Sequence, residues 1–225
     1  ATSTDFAGNS SSTTIPNAIA GVDHDGDGVI DAQELLAINS GDGNDDGILD
    51  MMQSDVASII SPVDTNPVTL EVIGVNCQLV SGFSIIPETS NANLDSNFYY
   101  PLGLNDFQLS CTSPGTTTTV RVIYSSVHDT SLWQYRKYDR NLTSYSDMSS
   151  AVTYATASIG INSVTTASYS ISDGGVLDED ALANGTIVDP SGPALSTLPT
   201  VTTPPDKTPD IIVPPSGKLP KTGGN

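Results

Sequence analysis

The sequence predicts a mainly β protein: an antiparallel β-sandwich of Greek-key or jelly-roll type, preceded by a small segment of loops and short helices. Residues 68–73 and 118–124 alternate with period two and are rich in Val, Ile, Thr and Tyr, the composition of half-buried strands. Every aromatic residue except Phe6 lies between Phe83 and Tyr169, which places the packed core there. No long stretch carries a helical period, and short strands punctuated by Pro-Gly and Asn/Gly turns suit two packed sheets.

Four parts follow in order along the 225 residues. Residues 1–20 are a Ser/Thr-rich leader, expected to be flexible. Residues 21–60 are acidic. Residues 66–195 form the β domain, in which 135–138 and 151–157 alternate more weakly than the two stretches above. Residues 196–225 hold Pro199, Pro204, Pro205, Pro209, Pro214, Pro215 and Pro220 among Thr, Ser and Gly. Such a stretch cannot bury a core and reads as an extended, semi-rigid stalk.

Seven basic residues stand against 26 acidic ones, a formal net charge of −19. Nucleic acid and anionic membrane surfaces both need a basic face, so the charge excludes them as partners. No apolar run reaches the roughly 20 residues of a spanning helix. The charge is also uneven: the first basic residue is Arg121. An acidic segment without lysine or arginine repels itself when compact, and a metal cation is the natural counter-charge.

The spacing of the acids says where that cation sits. Asp23, Asp25, Asp27, Asp31 and Glu34 occupy positions 1, 3, 5, 9 and 12 of a loop, with Gly28 at the sharp turn and Ile30 as apolar anchor. Oxygen donors at this spacing, with the Val29 carbonyl and a bidentate Glu34, wrap one Ca2+ ion. A second copy has Asp42, Asn44, Asp46, the Ile48 carbonyl and Asp50 in register, with Gly47 at the turn. Its twelfth residue is Gln53, a neutral monodentate amide, so this loop is expected to bind more weakly or to be completed by Asp55 or water. His24, between two ligand positions, is expected to face solvent. The loops begin 19 residues apart, too close for paired helix–loop–helix hands or for the longer helix of a dockerin. The short repeat resembles the thrombospondin type 3 class, which implies ions organising a compact, core-poor rod. Calcium is then structural, at the weak affinity of extracellular modules, about 10⁻⁴–10⁻³ M.

Further on, residues 100–110, Pro114-Gly115, 118–124, 133–138, Ser172-Asp-Gly-Gly175, Asp178-Glu-Asp180, Ala183-Asn-Gly185 and Ile187-Val-Asp-Pro190 follow in an order that resembles the bacterial choice-of-anchor U surface domain. The resemblance covers roughly residues 41–194 and implies a secreted, surface-attached protein of undefined biochemical activity. The chain departs from that pattern at Cys77, Cys111 and the acidic turn at 178–180. Asp173, Asp178, Asp180, Asn184 and Asp189 could hold a further ion, but Asp and Asn in such a turn more commonly bond their own backbone. Cys77 and Cys111 are either a disulfide, which a secreted setting favours, or two buried thiols. A bridge closing this loop would contribute about 3–4 kcal/mol in the chain-entropy model.

Leu219, Pro220, Lys221, Thr222 and Gly223 match the LPxTG sorting pentapeptide. That resemblance implies a sortase cysteine attacking the Thr222 carbonyl and passing it to a peptidoglycan amine or to another pilin subunit. The alternative is a chance match or a labelling tag; the stalk ahead of it favours a native signal. The apolar helix and basic tail of a full signal are not in the sequence, and Ala1 suits a mature chain after signal-peptide removal.

The expectation is thus an extracellular, wall-anchored structural or adhesive protein, not an enzyme, with a host or neighbouring-cell surface ligand as a further partner. A carbohydrate-binding module is the first alternative, with Tyr99, Tyr100 and Tyr135 as stacking candidates and Trp133 as core. A secreted hydrolase is the second; only His24 and His128 are available to it. Arg136, Lys137 and Arg140 are expected to pair with nearby acids such as Asp139. A self-formed Lys–Asn isopeptide would need a buried lysine, and Lys137 is the one lysine within the sandwich.

Overall fold

The computed structural model describes residues 2–4, 10–12 and 21–198. Strands β1 (Thr2–Thr4) and β2 (Ser10–Ser12) pair antiparallel. The acidic segment follows, with helix α1 (Asp31–Glu34) and a turn, α2 (Ile38–Gly41), in which Asn39 and Ser40 take left-handed φ of 56° and 65°.

The remaining strands build two antiparallel sheets. One has the order β11 (Thr153–Ile159), β12 (Asn162–Ser172), β8 (Thr117–Tyr124), β4 (Pro67–Ile73), β3 (Val56–Ile60). The other has the order β10 (Ser144–Asp147), β9 (Trp133–Asp139), β13 (Thr186–Ser196), β7 (Leu104–Cys111), β5 (Cys77–Ile86), with β6 (Phe98–Tyr99) paired to the end of β13. Consecutive strands repeatedly change sheet, as a β-sandwich requires. Leu70, Val72, Val122, Tyr124 and Tyr169 from the first sheet meet Leu79, Phe107, Leu109, Tyr135 and Ile187 from the second in one apolar core. Trp133 belongs to it, packed edge-on against Tyr124 and Tyr154. Cys77 and Cys111, register partners on β5 and β7, are joined by a disulfide.

Two expectations need correction. The sandwich begins at Val56 rather than residue 66, because β3 pairs with β4 along Val56–Ile60 and completes the sheet edge. The acidic segment is also not a core-poor rod apart from the sandwich. Val29 lies in the main core, Met51 is wholly buried, and Ile38 packs on Ile123, Ile159 and Val164 on the outer face of the first sheet. With so few apolar residues of its own, the segment gains burial only by leaning on the strands.

Candidate metal centre

The first acidic loop is folded by its own carboxylates. The Gly26 and Gly28 amides donate to the two oxygens of Asp23 at 2.8 and 3.1 Å, the Asp27 amide to Asp25 at 3.1 Å, and the Val29 amide to Asp27 at 2.6 Å. The last two are Asx-type turns, in which a short carboxylate replaces the backbone acceptor two residues back, while Asp23 caps the loop from its first position. Gly28 supplies the left-handed φ of 95° that closes the loop. The result draws Asp23, Asp25 and Asp27 together, with a carboxylate oxygen of each within 4.8 Å of the others. Glu34, at the end of α1, is wholly buried.

These turns leave oxygens without partners. Asp25 Oδ2, Asp27 Oδ2 and both oxygens of Glu34 are buried and accept no hydrogen bond. A buried carboxylate oxygen without a donor is costly. Burial pushes Asp27 up to about 7 and Glu34 up to about 10, and the neighbouring acids add to both shifts, Asp25 and Asp23 at Asp27, and Asp27, Asp25, Asp50 and Asp23 at Glu34. Asp25 is raised as well, again mainly by burial. Three clustered carboxylates, Asp23, Asp25 and Asp27, with the buried Glu34 close enough to raise and be raised by them, leave four oxygens unused; this is a donor set for a hard divalent cation, and calcium, which takes six to eight oxygens, fits. Asp23, Asp25, Asp27 and Glu34 would hold it; the ion would supply the positive charge that the segment lacks.

The second loop repeats the hydrogen-bond pattern. The Asp46 and Gly47 amides donate to the two oxygens of Asp42 at 3.1 and 3.0 Å, the Ile48 amide to Asp46 at 2.9 Å, and the Asp46 amide to Asn44 Oδ1 at 3.4 Å. It departs at the end: Gln53 Nε2 reaches Asp46 Oδ1 and the Ile48 carbonyl, both at 3.3 Å. A neutral amide thus stands at the position that Glu34 holds in the first loop.

Positions nine of the two loops do something the spacing does not reveal. Asp31 accepts the His24 amide at 3.0 Å and contacts the His24 ring nitrogen Nδ1, so His24, exposed as expected, is also held on the loop. Asp50 accepts the Gly43 amide at 2.8 Å and the Ser58 hydroxyl at 2.5 Å, and Ser58 in turn meets Thr69 at 2.6 Å. Both position-nine acids thus clamp the start of their own loop, and Asp50 also fastens the second loop to β3 and β4. Burial pushes Asp50 up to about 7. Asn44 Nδ2 faces Glu71 of β4 at 3.4 Å. Ser58, Thr69 and Glu71 escaped the sequence reading, because only strand register brings them to the loop. Asp55 is engaged through its carbonyl, which accepts the Val72 amide.

The other candidates resolve into structure. Asp173 accepts the amides of Gly115, Asn184 and Gly185, Asp178 those of Gly174 and Val188, and Asp180 that of Leu182. Backbone donors thus satisfy the closing turn. Tyr100 and Tyr135 are buried, leaving only Tyr99 of the proposed stacking trio exposed. The groove beside Trp133 is lined by Ser131, Leu132, Gln134, Leu195, Ser196 and Leu198, without a carboxylate. His128 Nε2 lies 3.0 Å from Ser126 Oγ, while its ring packs on Tyr124 and Trp133. The basic residues reach further than expected: Arg136 pairs with Asp95, Lys137 with Asp189, and Arg140 with Asp106 and Glu179. Asp139 instead accepts the amides of Asn141 and Leu142. The pentapeptide Leu219–Gly223 lies outside the described residues. No protein-family model, curated protein or solved structure matches the chain.

Proposed function

We propose that the chain is a calcium-stabilised, extracellular structural or adhesive module, attached to the cell wall by sortase at Thr222, with no catalytic role. One observation supports the calcium part above all: four buried carboxylate oxygens of Asp25, Asp27 and Glu34 accept no hydrogen bond. They belong to a loop whose residue spacing is that of a calcium site. The anchoring part rests on the residues Leu219-Pro-Lys-Thr-Gly223 and the proline-rich stretch before them.

Calorimetric titration of chelator-stripped protein with calcium chloride tests the first part. Saturable binding with a dissociation constant of about 10⁻³ M or tighter is expected; no saturable heat would overturn it. Wall digestion of expressing cells tests the second: wild-type protein should be released with wall peptide on Thr222, and a Thr222→Ala variant should not. Equal wall attachment of both would overturn it.

A further inference from the structure

The second sheet buries an ammonium against a carboxylate. Lys137 is the only lysine in residues 1–198, and its side chain is 6% exposed while that of Asp189 is 0% exposed. Lys137 Nζ lies 2.6 Å from Asp189 Oδ1. The second carboxylate oxygen, Oδ2, accepts the Tyr169 hydroxyl at 2.6 Å and the Ser191 hydroxyl at 3.0 Å. Register explains the meeting. Lys137 of β9 is opposite Ser191 of β13, so Asp189 is two residues along the neighbouring strand, on the same face and within reach of a long side chain. Tyr169 reaches in from β12 on the opposite sheet. An ion pair buried this deeply is costly to desolvate.

We propose that Lys137 and Asp189 condense to an intramolecular amide that cross-links β9 to β13. The ammonium passes a proton to Oδ1, the oxygen that faces it, and the nitrogen lone pair attacks Cγ. The Cγ–Oδ1 bond breaks, and Oδ1 takes a second proton from nitrogen and leaves as water. The Nζ–Cγ amide keeps one N–H, Oδ2 becomes its carbonyl, and no oxidant or co-reactant is needed. The hydroxyls of Tyr169 and Ser191 sit where negative charge develops on Oδ2, the place of oxyanion donors. The bond would join residues 52 positions apart and fix the strand that leads to the C-terminal stretch. It requires neither calcium nor the anchoring motif.

Intact-mass spectrometry of the disulfide-reduced protein tests it. The expected mass is one water below that of the sequence, with a tryptic species joining the peptides of Lys137 and Asp189, and with full mass restored in Lys137→Arg. Full mass in the wild type would overturn the proposal. So would a lost water without the joined peptide, or one that persists in Lys137→Arg, because the dehydration would then lie elsewhere.

Discussion

The Gly82 amide donates to the carbonyl of Asp27 at 2.8 Å. This single bond seats the first acidic loop on β5, where the register with β7 shifts between Leu79 and Phe83. The bulge opens the strand for a foreign acceptor, and the loop backbone fills it. The conformation of the loop is thereby coupled to the edge of the sandwich.

Gly28 should tolerate no side chain. A Cβ there would lie 2.7 Å from the Ser81 carbonyl carbon and 2.8 Å from Gly82 Cα, at a φ of +95°. Gly28→Ala is expected to lose about 2–4 kcal/mol, combining left-handed strain with overpacking. Gly26→Ala, with φ +79° and open space around it, is expected to lose about 1 kcal/mol. Urea unfolding of both variants in calcium checks the difference.

Glu34→Gln separates a ligand from a packing residue. Burial and neighbouring acids hold Glu34 up at about 10, so in the metal-free protein at neutral pH it is already uncharged. The amide should leave the chelated protein's melting temperature close to wild type and weaken calcium binding by on the order of tenfold or more. Melting curves with and without chelator read both effects. A purely structural Glu34 would lower the two curves alike.

Gln53→Glu should do the reverse in the second loop. It restores a carboxylate beside Asp46 and the Ile48 carbonyl, where the amide now lies. Calcium affinity of that loop is expected to rise by roughly tenfold with the added charge, while the metal-free protein is destabilised by one more acid in the cluster. Calorimetry should show a second, tighter binding event.

The pH dependence of the metal-free protein has a definite sign. Asp27 and Asp50 are raised to about 7 and Glu34 to about 10. The folded state therefore binds more protons than the unfolded one. The stability these groups contribute is fully present below their unfolded values near pH 4, and is lost as pH rises through about 7 and onward to about 10. Chelated protein should melt at a higher temperature near pH 5 than near pH 8. Calcium should raise the melting temperature more at the higher pH, and its binding should release protons.

The sequence was most legible where one period dominates. The alternation at 68–73 and 118–124 corresponds to β4 and β8, and the cross-strand pair Glu71–Arg121, 2.5 Å apart, lies on their polar face. Strand β13 was hidden because Pro190, Gly192 and Pro193 break the strand signal. The structure accommodates them by changing partner at Ser191, from β7 to β9. At the candidate metal centre, spacing proposed ligands in both loops, from Asp23, Asp25, Asp27, Val29, Asp31 and Glu34 to Asp42, Asn44, Asp46, Ile48, Asp50 and Gln53, and the fold draws the carboxylates of Asp23, Asp25 and Asp27 together. The clamps on Asp31 and Asp50, the Glu71 contact to Asn44 and the Gly82 seat depend on which strands lie side by side. No local pattern encodes that.

Hydrogen exchange with calcium and with chelator reads whether an ion holds the acidic loops against the sandwich. Chelation is expected to lower protection across residues 21–55 and at the Gly82 amide, while β8 and β12 in the middle of the first sheet keep theirs. Identical protection of residues 21–55 in both conditions would contradict it.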